Sequence, residues 1–403
     1  MEKYASTLWA AKETRMKTLY LDLSMGAAGD MLAAALFQLT DKRDELLRLI
    51  NSLSLPGLEA GLLPSEKCGI HGLHYQVLIH GKEEDEHGGG DKHHHNSLGD
   101  IGEIISSCGL PEPVCNDALE VYRLLAQAES KVHGRPVEQI HFHEVGSLDA
   151  VADILTVCLL IHEIGPERIC ASPVHVGSGT VRCAHGILPV PAPATAELLK
   201  GIPSYSGEIK GELCTPTGAA LLKHFVRDFG PMPRMRTQHI GYGLGSRDFP
   251  QANCLRAFLG ESGEEVVELC CNVDDMSGEA VGFALERLME AGALDAFWES
   301  LGMKKGRPGL RLTVICTQEN REKMLSLIFR YTSTIGVRET LCRRYILRRE
   351  KSYIQTPYGP IAVKYSQGYG AEKSKPEYEQ LKALATEAGI SLDEARAMVD
   401  KLT

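Results

Sequence analysis

Residues 18–39 read TLYLDLSMGAAGDMLAAALFQL, and this stretch decides the architecture. Residues 18–23 are a short β-run of leucine, threonine and tyrosine around one aspartate. Small residues and two glycines follow, and residues 32–39 continue as an apolar helix. Strand, small-residue turn and helix in succession open an α/β layer. Such a turn also presents backbone N–H groups to an anion. It is not a P-loop, because no Gly-Lys-Ser/Thr follows. Asp22 at the strand's end and Asp30 at the helix start are candidates for metal or proton chemistry. Asp30 equally suits an N-cap, Asp22 a surface position, and Gly26 and Gly29 close packing.

Further along, residues 139–153 read QIHFHEVGSLDAVAD. If 140–144 is extended, His141 and His143 point to one side. The helix from 148 onward carries Asp149 and Asp153 on one face, four residues apart. With Glu144, two imidazoles and several carboxylates converge at a strand–helix junction. Imidazole suits Zn, Ni, Cu and Fe, and carboxylate suits harder ions. The structural alternative is that the histidines serve turn or core carbonyls, while the aspartates sit where the helix dipole favours negative charge. His175, in the strand-like run 169–176, is a further metal-ligand candidate. Residues 81–97 are acidic, glycine-rich and histidine-rich. They read as a flexible insertion able to hold divalent metal loosely, without the fixed geometry a catalytic site needs.

The bulk numbers set outer limits. A chain of 403 residues with 43% hydrophobic and 24% charged residues is long enough for two or three domains, each with its own core. Its 12 cysteines include no C-x-x-C pair, which predicts free thiols in a reducing cytoplasm. No apolar run approaches the ~20 residues that span a bilayer, and residues 1–15 do not read as a secretory signal. Residues 1–17 read as an extension outside the fold. The net charge of −10 argues against nucleic-acid binding. Yet residues 301–365 hold 14 Lys+Arg against 4 Asp+Glu, a local basic region suited to a polyanion such as a nucleoside triphosphate, or else to solvent or a subunit contact.

We expect a mixed α/β first domain over 18–259, a polar linker at 260–265, and a second domain over 266–403. Glycine- and proline-rich stretches such as 177–193 and 241–249 read as ligand-facing loops, and Thr217 as a helix N-cap. The second domain reads β-α-β-β-α-β over 266–348, the ferredoxin-like split unit, followed by a hairpin over 353–365 and helices at 376–388 and 391–402. The fold class is therefore α+β or α/β with two domains. Asp274 and Asp275 at a strand's exit suit Mg²⁺ or Mn²⁺, which want carboxylates and keep water for phosphate; helix capping is the alternative for Asp275. Lys304, Lys305 and Arg307 stand among glycines, and Thr334 and Arg338 add a hydroxyl and a cation, the donors a triphosphate needs. Lys364 and Lys373 are placed to close the same cleft.

Seven motifs in order complete the reading: GAAGDM (26–31), HFHEVG (141–146), HGILPVPAPAT (185–195), TPTGAA (215–220), NVDDM (272–276), MKKGRPG (303–309) and TIGVR (334–338). In this order they resemble the LarC family of nickel insertion proteins, over almost all of residues 18–390. The resemblance implies a cyclometallase, a nickel chelatase of the lyase class. It would insert Ni²⁺ into pyridinium-3,5-bisthiocarboxylic acid mononucleotide, making the nickel-pincer nucleotide cofactor of lactate racemase through Ni–S and Ni–C bonds. It also implies CTP hydrolysis to CMP and pyrophosphate with Mn²⁺ or Mg²⁺, a homotrimer or homohexamer, and lactate racemase apoprotein as a partner. Forming Ni–C removes a ring proton, so a base such as Asp22, His143 or Glu144 is needed. Residues 26–30 would cradle the nucleotide's phosphate. The rival readings are a passive nickel-binding chaperone and a metal-dependent nucleotide pyrophosphatase.

Overall fold

The computed structural model describes residues 15–82, 96–142, 145–183 and 186–402. His143, Glu144, His185 and most of the histidine-rich insertion lie outside the described residues. The chain divides into two compact units, Met16–Ser262 and Gly263–Thr403. Labels below are given to the elements that position the sites.

The first unit holds β1 (Arg15–Asp22), α1 (Gly29–Phe37), β2 (Leu58–Lys67), β3 (Ile70–Ile79), α2 (Glu112–His133), α3 (Leu148–Ile164), β4 (Arg168–Ala171), α4 (Pro216–Phe225), β5 (Asp228–Phe229), β6 (Met235–Leu244) and the start of β7 (Cys254–Val273). Its strand order is β5-β4-β1-β7-β6-β3-β2. β1, β4 and β5 run parallel, while β6 and β7 pair antiparallel, as do β2 and β3. Thr18, Leu19, Tyr20 and Leu21 are all buried, as a strand covered on both faces requires. Arg15–Lys17, expected outside the fold, belongs to β1: the Glu167 N–H donates to the Lys17 carbonyl at 2.7 Å.

The alanine-rich α1 lies directly on β6. A Cβ on Gly241 or Gly243 would fall 1.9 Å from the carbonyl oxygens of Ala35 and Met31 respectively. Residues 241–244, expected in a glycine-rich loop, are therefore strand, because the glycines let helix and sheet approach. Thr215, not Thr217, caps α4: its hydroxyl accepts from the Gly218 N–H at 3.2 Å, and Pro216 then suits the first helical turn. Tyr75, Tyr122, Phe37 and Phe142 anchor the core among buried leucines and isoleucines, each contributing about 1.5–3 kcal/mol by burial.

In the second unit, β7 continues and is followed by α5 (Gly278–Glu290), β8 (Asp295–Met303), β9 (Arg307–Cys316), α6 (Arg321–Tyr331) and β10 (Arg338–Arg344). The strands lie in the order β8-β9-β7-β10, every neighbouring pair antiparallel. Val267, Leu269, Leu312, Val314, Met324 and Ile328 fill the space between sheet and helices. Residues 260–265 are strand throughout instead of a linker. Gly260 is there for close approach, since a Cβ would meet the Arg236 carbonyl oxygen at 2.2 Å, and Glu265 pairs in register with Arg343. The rest is a three-stranded sheet, β11 (Arg348–Thr356), β12 (Gly359–Gly368) and β13 (Ala371–Pro376), backed by α7 (Tyr378–Ala388) and α8 (Leu392–Asp400). The expected hairpin is β11–β12. The third strand was hidden by its composition: AEKSKP is lysine-rich and mostly exposed, as edge strands often are.

Candidate functional site

Loops from distant parts of the sequence meet at the carboxyl end of β1. The Ala27 N–H donates to the Leu213 carbonyl at 3.0 Å, and the Thr215 N–H donates to the Ala27 carbonyl at 3.0 Å. This is why the turn is built of small residues. Gly26 has φ +78° and a Cβ there would lie 2.0 Å from the Leu213 oxygen; one on Gly218 would lie 2.2 Å from the Ala27 oxygen. Gly29 faces the Asp153 carboxylate, 2.6 Å from where its Cβ would be. The starts of α1 and α3 thus lie side by side, which brings the carboxylate end of the histidine stretch to the turn.

Asp22 is 8% exposed. Its carboxylate accepts from the Ser24 N–H at 3.1 Å, the Ser24 hydroxyl, and Arg256 through Nε at 3.0 Å and Nη2. Burial pushes the Asp22 carboxyl up, but the hydrogen bonds from Ser24 and Arg256 outweigh it and hold the group below the ordinary range. Asp22 is consequently a weak proton acceptor, held as a carboxylate. A cavity of about 520 Å³ opens here, lined by Asp22, Met25, Ile70, Tyr242, Cys254 and Arg256 among others. Burial lifts the Cys254 thiol to about 11, so it is not a thiolate at neutral pH.

His175 is 5% exposed and stacks on Tyr205, ring centroids 4.7 Å apart. Its Nδ1 lies 2.8 Å from the Ser24 carbonyl oxygen. A carbonyl only accepts, so Nδ1 carries the proton and Nε2 is left as the acceptor. That Nε2 is buried with no hydrogen-bond partner among the described residues, and Gly207 covers it: a Cβ there would lie 2.4 Å away.

In the second unit three loops meet at one end of the four-stranded sheet. Arg307 Nη1 donates to Asp274 at 3.2 Å, the Ser333 hydroxyl donates to Asp275, and Arg338 Nη2 donates to Asn272 at 2.9 Å. Thr334 bonds within its own loop, its hydroxyl donating to the Gly336 carbonyl at 2.9 Å. Lys304 and Lys305 are exposed, and Lys305 has φ +65°.

Comparison with known proteins gives the family. The sequence profile of the family described as nickel insertion protein matches residues 19–396. The chain belongs to the nickel insertion protein family. Similar relatives include the pyridinium-3,5-bisthiocarboxylic acid mononucleotide nickel insertion protein of Clostridium kluyveri, 43% identical over 95% of this chain and 98% of the relative. The protein of the same description from Staphylococcus epidermidis is 39% identical over 92% of each chain. A solved carboxy-terminal domain of a cyclometallase involved in synthesis of the NPN cofactor of lactate racemase is 33% identical, covering 35% of this chain and 98% of that one, with a TM-score of 0.34.

In this nickel insertion family member, the residues expected at the sites fall into three groups. Asp22 and His175 are brought together around Ser24, and Asp274 and Arg307 around each other. Others have structural partners: Asp149 accepts from the Ser147 hydroxyl and from the Ala150 N–H at 2.7 Å, and Asp30 lies 3.9 Å from His74 Nδ1. Lys364 and Lys373 stand on β12 and β13, with Lys364 paired to Glu377 at 2.7 Å. For His141 only the backbone is described, paired in register with Ser97. Among the described residues, no three His, Cys, Asp or Glu converge on a metal position. Sequence reasoning missed Arg256, Tyr242 and Tyr205. The signal for Arg256 was a lone cation in the apolar strand run CLRAFLG. Among the described residues no helix is long and apolar enough to cross a membrane.

Proposed function

We propose that this protein inserts Ni²⁺ into pyridinium-3,5-bisthiocarboxylic acid mononucleotide, yielding the nickel-pincer nucleotide cofactor of lactate racemase. The reaction depends on CTP, hydrolysed to CMP and pyrophosphate, with Mn²⁺ or Mg²⁺. The observation that carries this reading is the family match over residues 19–396, which runs through both units.

The residues suit the chemistry. Nickel is the cargo, and His141, His143, Glu144 and Asp149 are imidazole and carboxylate donors that hold a divalent ion yet release it to sulfur. His175, held through Nδ1 on the Ser24 carbonyl, is a further imidazole candidate. His143 and Glu144 remain the candidate bases for the ring proton; Asp22, fixed on Arg256, is the weaker one. In the second unit, Lys304, Lys305, Arg307, Thr334 and Arg338 suit the triphosphate, and Asp274 and Asp275 are hard oxygen donors for Mn²⁺ or Mg²⁺. Lys364 and Lys373, on the three-stranded sheet, take at most a secondary part. The order β-α-β-β-α-β and the strand order β8-β9-β7-β10 support reading this unit as ferredoxin-like. Assembly as a homotrimer or homohexamer, a cytoplasmic setting and delivery to lactate racemase apoprotein belong to the same reading.

One incubation tests it: protein, nickel-free pincer mononucleotide, Ni²⁺, CTP and Mn²⁺, followed by mass spectrometry. The expected result is the nickel-bearing nucleotide together with CMP. Nickel bound without product would point to a carrier, and pyrophosphate released without need of nickel or pincer to a pyrophosphatase.

A further inference from the structure

The cavity at the carboxyl end of β1 lies where open α/β sheets place their ligands, outside the strand ends. About 520 Å³ suits a ligand of mononucleotide size. Its lining is unusual in pairing opposite charges beside an aromatic ring. Arg256 is anchored by Asp22 on two nitrogens, yet its side chain remains 47% exposed. A guanidinium carries five N–H donors in a rigid fork. Asp22 occupies the Nε edge, and among the described residues the Nη1 donors meet no acceptor. Phe258 lies beneath the guanidinium, 5.5 Å from ring centroid to Cζ, and stiffens its position. Tyr242, Met25, Ile70 and Ala252 form the less polar wall.

We propose that this cavity seats a zwitterionic pyridinium mononucleotide, with Arg256 as its anion anchor and Asp22 as the residue that holds the anchor in place. This deepens the function proposed above and rests on it. The ligand's thiocarboxylates and phosphate are anions, whereas its ring is a cation. A fixed guanidinium meets the former through its outward donors. The Asp22 carboxylate, with Tyr242 in the lining beside it, suits the latter. Because Asp22 already fixes Arg256, little side-chain entropy is lost when the ligand arrives. Asp22 is then a positioning residue. Ring deprotonation falls to another base, which the weakened basicity of Asp22 agrees with.

The test measures equilibrium binding of nickel-free pincer mononucleotide, and separately of CTP, by calorimetry on the full chain. Arg256→Gln should weaken mononucleotide binding by on the order of tenfold to a hundredfold and leave CTP affinity unchanged. Arg256→Lys should recover only part of the loss, because an ammonium cannot reproduce the fork. Should Arg256→Gln not fold, as its circular dichroism would reveal, Ala252→Trp narrows the cavity with both residues of the ion pair kept and should also block the mononucleotide. Wild-type binding in Arg256→Gln or in Ala252→Trp, with wild-type protein still forming the nickel product, overturns the seat and leaves the function standing. Wild-type protein that binds CTP but neither binds nor converts the mononucleotide overturns both.

Discussion

The two candidate sites are built in opposite ways. At the end of β1, a Cβ on Gly26, Gly207, Gly218 or Gly29 would sit 2.0 to 2.6 Å from protein atoms. In the second unit's loops, Gly306 and Gly336 have nothing within 4 Å of an added Cβ. The ion pairs follow suit: the Asp22 side chain is 11% exposed, whereas Asp274 and Arg307 are 29% and 63% exposed. A close-packed site with fixed dipoles reads shape, because its groups cannot move to meet a wrong ligand. An open loop with several cations reads charge and can adapt. Under the proposed function, the first would seat the rigid pyridinium nucleotide and the second the flexible triphosphate of CTP.

The strongest way to break this contrast is to add a single methyl group to each side. Gly26→Ala would place a Cβ on the Leu213 carbonyl that also accepts the Ala27 N–H, so neither partner can yield without losing that bond. Together with a left-handed φ, the cost should be about 3 kcal/mol or more. Gly306→Ala has φ +67° but open space, and should cost about 1 kcal/mol. Urea unfolding midpoints of both variants decide it. Equal losses would mean that the first turn has room the packing denies.

These glycines also mark how far the sequence could be read. Local pattern revealed β1, α1, α3 and the β-α-β-β-α-β order, because each is written in the periodicity of its own residues. It could not separate a glycine that frees a loop from one that lets a helix lie on a strand. Gly241 and Gly243 were taken for loop residues, and Gly260 for part of a linker, for this reason. The sites were legible by the same measure. Asp274 and Arg307 could be grouped from loop chemistry alone, and the two side chains do pair at 3.2 Å. Arg256 lies 234 residues from Asp22, and only the strand order joins them. The partner that weakens Asp22 as a base was therefore invisible along the chain.

Charge removal sharpens the contrast next. Asp22→Asn leaves Arg256 without its carboxylate and should cost about 1–2 kcal/mol, discounted because Arg256 is half exposed. Asp274→Asn should cost less than about 1 kcal/mol. The pH dependence gives the sign. Asp22 has its pKa lowered by folding, so its stabilisation is present above the unfolded value and is lost as pH falls through the folded one. Unfolding free energies of wild type and Asp22→Asn should differ at neutral pH and draw together below about pH 4. A difference that persists in acid would assign the loss to packing.

Binding measurements probe the exposed side. Arg307→Ala should weaken CTP binding by about tenfold, and wild-type CTP affinity should fall as salt rises, since screening acts fully on exposed charges. Affinity independent of salt would argue that the triphosphate is held in a drier place than these loops.

The smallest effect is expected on the three-stranded sheet. Lys364 is already paired to Glu377 at 2.7 Å, and it lies in register between Lys351 and Lys375. Removing one of three neighbouring cations, the one whose charge is already shared, should change CTP affinity by less than about twofold. Lys373→Gln, opposite Ser366 on the neighbouring strand, should do no more. Nucleotide binding by Lys364→Gln and Lys373→Gln, each followed by calorimetry beside Arg307→Ala, ranks the contributions. A tenfold loss from either lysine would extend the grip on CTP to this second sheet. The adaptable site would then owe its breadth to two surfaces and not to three loops, and the contrast with the crevice would be one of extent as well as exposure.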